Sequence, residues 1–351
     1  MRVVIADPPA FTPPYDHELA AALSRAGAEV ELVTSRFRFG PVPEPDGYER
    51  SELFYPLSSR LFKRSRLRLP LKVLEHPLGM ARLRRRRADV FHLQWLALPQ
   101  LDRFLLPTRA PLVFTAHDLL PRRTAGKREL WLELLRRFDV VVVHSSRGRE
   151  TLAELGVAEE RLQVVFHPVF QSDPPRADDG HTLLSLGMIR PYKGLTDAIE
   201  VTKRLGDARL LVAGDSMEPV GPYREQAGEI AEFRLGWLDD AGVDRALGET
   251  TVALFPYRAE LDQSGALLRT LGAGVPAVVY DVGGLAEPVR AFGAGAVVPA
   301  GDVEAMTEAV RSLLSDRESL ARARAGAREA RAKLTWDEAA ARHLVIYGAL
   351  S

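Results

Sequence analysis

Arg190 and Lys193 stand three residues apart in the stretch GMIRPYKG (187–194), which follows the apolar run TLLSLG (182–187). The run reads as a buried strand that ends at Gly187, and a helical pattern starts after Gly194. Two cations beside a helix start are poorly placed, because the helix dipole already puts partial positive charge there. An anion relieves the conflict. Arginine offers phosphate a planar fork of donors, and lysine a point charge. Downstream, in FPYRAELDQSGALLRTLGAGVPAVV (255–279), Ser264 is a suitable helix N-cap. Gly265 then permits close approach to the free amides of the first helical turn. A diphosphate on those amides, near Arg190 and Lys193, is stabilised as a leaving group.

Other chemistry-bearing residues lie at strand ends. His117 and Asp118 close the run LVFTAH (112–117), and His144 and His167 close two others. The last two read as structural. Trp95 and Trp237 are ring-stacking candidates, although large aromatics near strand ends are more often core. His17 is a candidate on the acceptor side. No cysteine is present, which excludes disulfides, thiolate catalysis and cysteine-based metal sites. No Asp-x-Asp occurs, and no His/Asp/Glu spacing reads as a zinc site.

These residues need strands and helices to carry them. Apolar runs at 2–6, 30–35, 89–95, 112–117, 140–145 and 163–168 alternate with helical patterns such as HELAAALSRAG (17–27). The polar, proline-rich QSDPPRADDG (171–180) reads as a linker. The rhythm then restarts with runs at 182–187, 208–214, 231–237, 251–257, 276–281 and 295–300. Continuous apolar strands separated by helices predict parallel sheets covered on both faces. The expected fold class is therefore α/β, with two Rossmann-like domains facing across a cleft that binds ligand at the carboxyl ends of the strands. The domains are placed at 1–170 and 171–351.

Composition narrows the function. The 351 residues carry 47 Lys+Arg against 47 Asp+Glu, and a chain of zero net charge is not a general nucleic-acid binder. The N-terminal MRVVIADPPA is too short an apolar run for a signal peptide, so the expected compartment is the cytoplasm. One local bias stands out: eleven Lys/Arg against the single acid Glu75 between Arg60 and Arg87, with apolar residues interleaved. That segment is either a solvated helix face or a peripheral contact with anionic lipid.

GMIRPYKG, the G-V-P-A-V-V segment after a helix, and DVGGLAE (281–287), in that order, resemble the retaining glycosyltransferases of family 4, which have the GT-B fold. TAHD (115–118), HSSRGRETLAELGV (144–157), VVFHPVF (164–170) and LTWDEAAARHLVIY (334–347) extend the resemblance over most of the chain. It implies transfer of a sugar from a nucleotide-sugar donor to the hydroxyl of a glycan, a lipid-linked sugar or a small molecule. Retained configuration, no metal and no further cofactor are also implied. The catalytic set becomes His117, Asp118, Arg190 and Lys193. The donor set is Gly187, Trp237, Asp262, Ser264, Gly265, Arg269 and Glu287, with Tyr15 and His17 toward the acceptor. The resemblance also implies a last helix that returns to the N-terminal domain.

Two departures matter. The family's Glu-x7-Glu falls on Leu261 and Arg269, and arginine cannot accept the ribose hydrogen bonds that the second Glu commonly takes. Glu260 and Asp262 flank the first position, and Arg269 is expected either to pair with a neighbouring acid such as Glu260 or Glu287 or to meet an acidic part of an unusual donor. At the N-terminus, PPAFTPPYDHE (8–18) replaces the usual paired glycines. The alternatives are a catalytically silent partner protein and a nucleotide-sugar epimerase of the same architecture.

Overall fold

A computed structural model of the chain describes residues 1–61, 68–120, 125–258 and 261–350. Glu260 and the 62–67 part of the basic segment lie outside the described residues. The chain divides into two compact units, residues 1–166 with 336–351, and residues 167–335.

The first unit begins with strand β1 (Arg2–Asp7), helix α1 (Pro13–Arg25) and strands β2 (Glu29–Ser35) and β3 (Glu49–Phe54). Helices α2 (Ser58–Leu61) and α3 (Arg68–Leu83), strand β4 (Val90–Leu93) and helix α4 (Pro99–Leu105) follow. It continues with β5 (Leu112–Thr115), α5 (Arg128–Leu135), β6 (Val140–Val143), α6 (Ser146–Glu154) and β7 (Leu162–Val164). The second unit runs β8 (Thr182–Leu186), α7 (Leu195–Leu205), β9 (Arg209–Gly214), α8 (Gly221–Ala227), β10 (Ala231–Leu235) and α9 (Asp240–Glu249). Then come β11 (Val252–Phe255), α10 (Gly265–Gly272), β12 (Ala277–Tyr280), α11 (Ala286–Phe292), β13 (Gly295–Val298), α12 (Val303–Ser315) and α13 (Arg317–Lys333). The closing helix α14 (Trp336–Gly348) belongs to the first unit.

Both sheets are parallel among the described residues. Their orders are β3-β2-β1-β4-β5-β6-β7 and β10-β9-β8-β11-β12-β13. Each chain path moves outward from its first strand and then jumps back to the other side of it. The crevice at that reversal, beyond the carboxyl ends of the strands, is where such sheets bind ligands. In the first unit it lies after β1 and β4, in the second after β8 and β11. Strands β4, β5, β6, β11 and β12 are buried along their whole length, as helices on both faces require.

Two boundaries differ from the sequence expectation. Residues 167–170 belong to the second unit, because the Val169 amide donates to the Leu334 carbonyl and Phe170 packs against α10. Helix α1 starts at Pro13 rather than His17, since prolines fit the first helical turn, where the missing N–H costs nothing. Helix α14 lies against α1. Tyr347 meets His92 Nδ1 at 2.6 Å, Arg25 pairs with Asp337 at 2.8 Å, and the Trp336 ring stands edge-on to Tyr15 at 5.1 Å. No described helix is long and apolar enough to cross a membrane.

Candidate active site

In the second unit the reversal gathers two loops. Gly187 leaves β8 at φ 97° and Gly194 ends the following turn at φ 68°. A Cβ at Gly194 would stand 2.0 Å from the Pro256 carbonyl oxygen, so the two loops meet backbone to backbone. The Arg258 amide donates to the Tyr192 carbonyl at 2.7 Å, and its guanidinium pairs with Asp197 in the first turn of α7. Between these loops the Lys193 ammonium lies 3.5 Å from the Leu186 carbonyl and 5.3 Å from the centre of the Tyr257 ring. Tyr257 is buried, and its hydroxyl meets Ser264 Oγ at 3.3 Å. Ser264 caps α10 by accepting from the Leu267 amide. A Cβ on Gly187 would touch Lys193 Nζ at 2.9 Å and Ala266 at 3.6 Å. Gly187, Lys193, Ser264 and Gly265 thus form one cluster at the amino end of α10.

The cluster is cationic. No carboxylate among the described residues pairs with Lys193. Burial lowers its pKa and the nearby Arg190 charge lowers it further, against an opposing contribution from Tyr192. Arg190 is exposed, with its guanidinium 3.5 Å from Met188 Sδ.

The remaining donor candidates separate. Asp262 is fully buried. The 261–264 loop is tied to the 283–285 turn through the Gly284 amide on the Leu261 carbonyl (3.1 Å) and Gln263 on the Gly284 carbonyl (3.2 Å). That turn leads to Glu287, half-buried in the first turn of α11. Leu261 packs against the hydrophobic core. Arg269 does not pair with Glu287 as expected, and Glu260 lies outside the described residues. Arg269 bonds Asp240 of α9 at 3.0 Å and lies 4.7 Å over the Phe170 ring, because five residues of helix turn it away from the Ser264 face. Trp237 is half-exposed beyond the edge strand β10, two strands away from β8. Arg269→Ala is therefore expected to leave nucleotide affinity within twofold and to cost only about 0.5 kcal/mol of stability, as exposed pairs do. Titration calorimetry and urea melts check both.

In the first unit, His117 follows β5 and donates through Nε2 to Gln94 Oε1 at 2.9 Å. An amide oxygen only accepts, so Nε2 carries the proton and Nδ1 is the basic nitrogen. Trp95 stacks on the His117 ring at 5.2 Å and 15°, and donates to Thr12 Oγ1 at 2.9 Å. Tyr15 is buried edge-on against His117 at 4.8 Å, so its ring supports the histidine from within the core. Asp118, next in the chain, is exposed. The Nδ1 atom of His144 meets the Val165 carbonyl, and that of His167 the Pro168 carbonyl. Both rings are buried, and burial lowers the His167 pKa to about 4. His17 bonds the Tyr48 hydroxyl at 2.9 Å on the wall of a shallow recess. Asp16, Thr34, Arg50 and Glu52 line it too.

Sequence reasoning missed a buried carboxyl pair. Asp7 ends β1 and accepts from the Phe11 and Thr12 amides at 2.7 and 3.1 Å. It thereby folds 8–12 into a tight turn in which Ala10 takes φ 52°. The Asp16 carboxyl of α1, which accepts from Thr12 Oγ1 at 3.4 Å, is close enough to Asp7 for the two charges to repel. Burial raises both pKa values, and repulsion from Asp7 raises that of Asp16 further, so both carboxyls hold a proton more tightly than a free carboxyl does. This turn occupies the place of the paired glycines. Asp7 at a strand end was the available signal. A raised carboxyl pKa means that the folded state holds the proton more tightly than the unfolded chain. Stability falls as pH rises from the unfolded value near 4 through the raised pKa, and levels off above it. Asp16→Asn should therefore flatten that slope and raise stability at pH 8 by about 1 kcal/mol or more, read by urea melts at pH 5 and 8.

Residues 15–170 match the domain family described as Glycosyltransferase Family 4, and residues 180–316 match Glycosyl transferases group 1. The chain belongs to the family 4 glycosyltransferases. The phosphatidyl-myo-inositol mannosyltransferase of Mycobacterium leprae is 31% identical over 175 residues, covering 48% of this chain and 46% of that protein. The D-inositol 3-phosphate glycosyltransferase of Xylanimonas cellulosilytica is 25% identical over 384 residues, covering 95% and 90%. Against two of its curated relatives the chain spans only 26% and 46% of the relative's length. Sucrose-phosphate synthase from Thermosynechococcus elongatus superposes with a TM-score of 0.73 at 18% identity, covering 100% of this chain and 99% of that one, which shows a shared GT-B fold.

Proposed function

We propose that this family 4 chain transfers a sugar from a nucleotide-sugar donor to an acceptor hydroxyl on a glycan, a lipid-linked sugar or a small molecule. Retention of configuration, operation without a metal or other cofactor, and a cytoplasmic location with the 60–87 segment at an anionic membrane complete the reading. The observation that carries it is the half-buried Lys193 ammonium, without a carboxylate partner among the described residues, at the capped amino end of α10. Burying an ammonium is costly unless an anion joins it. A diphosphate supplies that anion.

Lys193, the α10 amides and, from the rim, Arg190 hold the diphosphate and take up the charge that grows on it as the sugar–oxygen bond breaks. The acceptor oxygen forms the new bond on the same face of the sugar, and its proton passes to the departing phosphate oxygen, so no protein base is consumed. His117, with its tautomer fixed by Gln94, and Asp118 are assigned to orienting the sugar hydroxyls. The nucleotide unit is the second one and the acceptor unit the first. The placement of Leu261 in the core and of Arg269 on Asp240 supports a ribose contact made by other groups.

The test is a thermal-shift series with UDP-, GDP-, dTDP- and ADP-linked sugars, since ligands of the folded state raise its melting temperature. Anomeric analysis of product by NMR, with and without a chelator, follows. Stabilisation by one series and a chelator-insensitive, retained product are expected. Binding without turnover on any acceptor would favour a silent partner, and conversion of donor alone an epimerase.

A further inference from the structure

Helix α3 buries Met80 and Leu83 in the core together with two polar side chains, and is apolar on its outer side. Its inward residues include Glu75, which accepts from the Leu57 and Ser58 amides at 2.7 and 3.1 Å, and His76, which bridges Tyr55 (2.7 Å) and Asp102 (2.5 Å). Both are buried. Gly79 on the same side lets the helix press on Phe54, where a Cβ would stand 2.4 Å from the ring. On the outward side Leu69, Val73, Leu74 and Leu78 are 53%, 44%, 71% and 63% exposed, and Pro70 and Ala81 are exposed beside them. At 100° per residue these six fall within about half the circumference, and no charged residue of the helix falls in that arc. A helix packed only for stability turns polar residues outward. Contiguous exposed apolar residues with a polar edge mark an interaction surface.

The charge beside that face selects its occupant. Arg82, at the border of the apolar arc, and Arg84, Arg85 and Arg87 beyond the helix end make no ion pair among the described residues; Arg86 alone meets an acid, Glu31, at 3.3 Å. Arg60, one helix earlier, is also exposed. An uncompensated cationic border around an apolar helix face complements a bilayer that is anionic at its headgroups and apolar beneath them.

We infer that α3 docks on anionic lipid by laying Leu69, Val73, Leu74 and Leu78 into the headgroup boundary, with Arg82, Arg84, Arg85 and Arg87 on the phosphates. This deepens the membrane part of the proposed function and is independent of sugar transfer. The buried Glu75 and His76 fix the face that stays outside, so the surface is preformed.

The experiment is sedimentation of the whole chain with vesicles of phosphatidylcholine alone or with phosphatidylglycerol, at low and high salt. Binding is expected to anionic vesicles only and to weaken with salt. Leu74→Glu/Leu78→Glu should lower it at least about tenfold, with an unchanged melting temperature because both side chains are exposed. Nucleotide-induced thermal stabilisation should persist in that variant, which separates failure here from failure of the donor assignment. Equal recovery with neutral vesicles, parent-like binding by the double variant, or a parent dimer that the double variant dissociates without any vesicle binding would each overturn the inference.

Discussion

Lys193→Ala is expected to weaken nucleoside diphosphate binding and transfer by about tenfold to a hundredfold, because a charge-assisted bond to phosphate contributes on the order of 1.5–3 kcal/mol. The free protein should nevertheless melt at the same temperature or higher. Burial lowers the Lys193 pKa, so the folded state holds this proton less tightly than the unfolded chain does. The resulting cost is full below the lowered pKa, fades as pH rises through it and is gone only above the ordinary lysine value of about 10.4. Any stability advantage of the variant should accordingly be largest near neutrality and fade in alkaline buffer. Arg190→Ala acts in the same direction with a smaller effect, since that guanidinium is exposed and better screened. A loss of stability in Lys193→Ala with no loss of affinity would make the lysine a packing residue and end its assignment to the diphosphate. Titration calorimetry with the nucleotide found by thermal shift, and melts from pH 7 to 10, give both readings.

What could be seen in the sequence follows the physics of each element. The strands flanking each reversal announce themselves because a central parallel strand is buried on both faces and must be continuously apolar, as VVVV (140–143) and VALF (252–255) are. Strand β3, ERSELF, is invisible for the complementary reason: it is an edge strand, half-exposed and polar, and Ser51 bonds Glu31 of β2 at 2.9 Å. The cluster of Gly187, Lys193, Ser264 and Gly265 was legible because each residue sits a fixed short distance from a strand end. The Asp7–Asp16 pair was not, since it depends on the turn that Asp7 itself folds over residues 8–12. Helical arithmetic showed that Arg269 leaves the Ser264 face, but its partner Asp240 comes from a separate helix that spacing does not reveal. The basic bias of 60–87 was visible as composition. Which side of α3 faces out was not, because Glu75 and His76 look like surface residues until their partners are known.

Gly194→Ala should be the most damaging single-methyl change near the cluster. Two costs combine. An L-residue at φ 68° loses about 1–2 kcal/mol relative to glycine. The added Cβ also meets the Pro256 oxygen at 2.0 Å, a backbone atom that cannot rotate aside, and relieving such overpacking typically costs a further ~1–3 kcal/mol. At about 2–4 °C per kcal/mol for a unit of this size, the melting temperature should fall by roughly 5–20 °C. Gly293, which ends α11 at φ 59° with no atom within 4 Å of its added Cβ, supplies the control. Gly293→Ala carries the backbone cost alone, about 1–2 kcal/mol, and lies away from the loops that meet at Pro256. The difference between the two variants therefore measures the contact of the 187–194 loop with the 256–258 loop. It should be accompanied by weaker nucleotide binding in Gly194→Ala only, because relieving the overlap pushes Lys193 off the amino end of α10. Equal melting temperatures and equal affinities in the two variants would show that the loops are not pressed together and that Lys193 is not held where a diphosphate would need it.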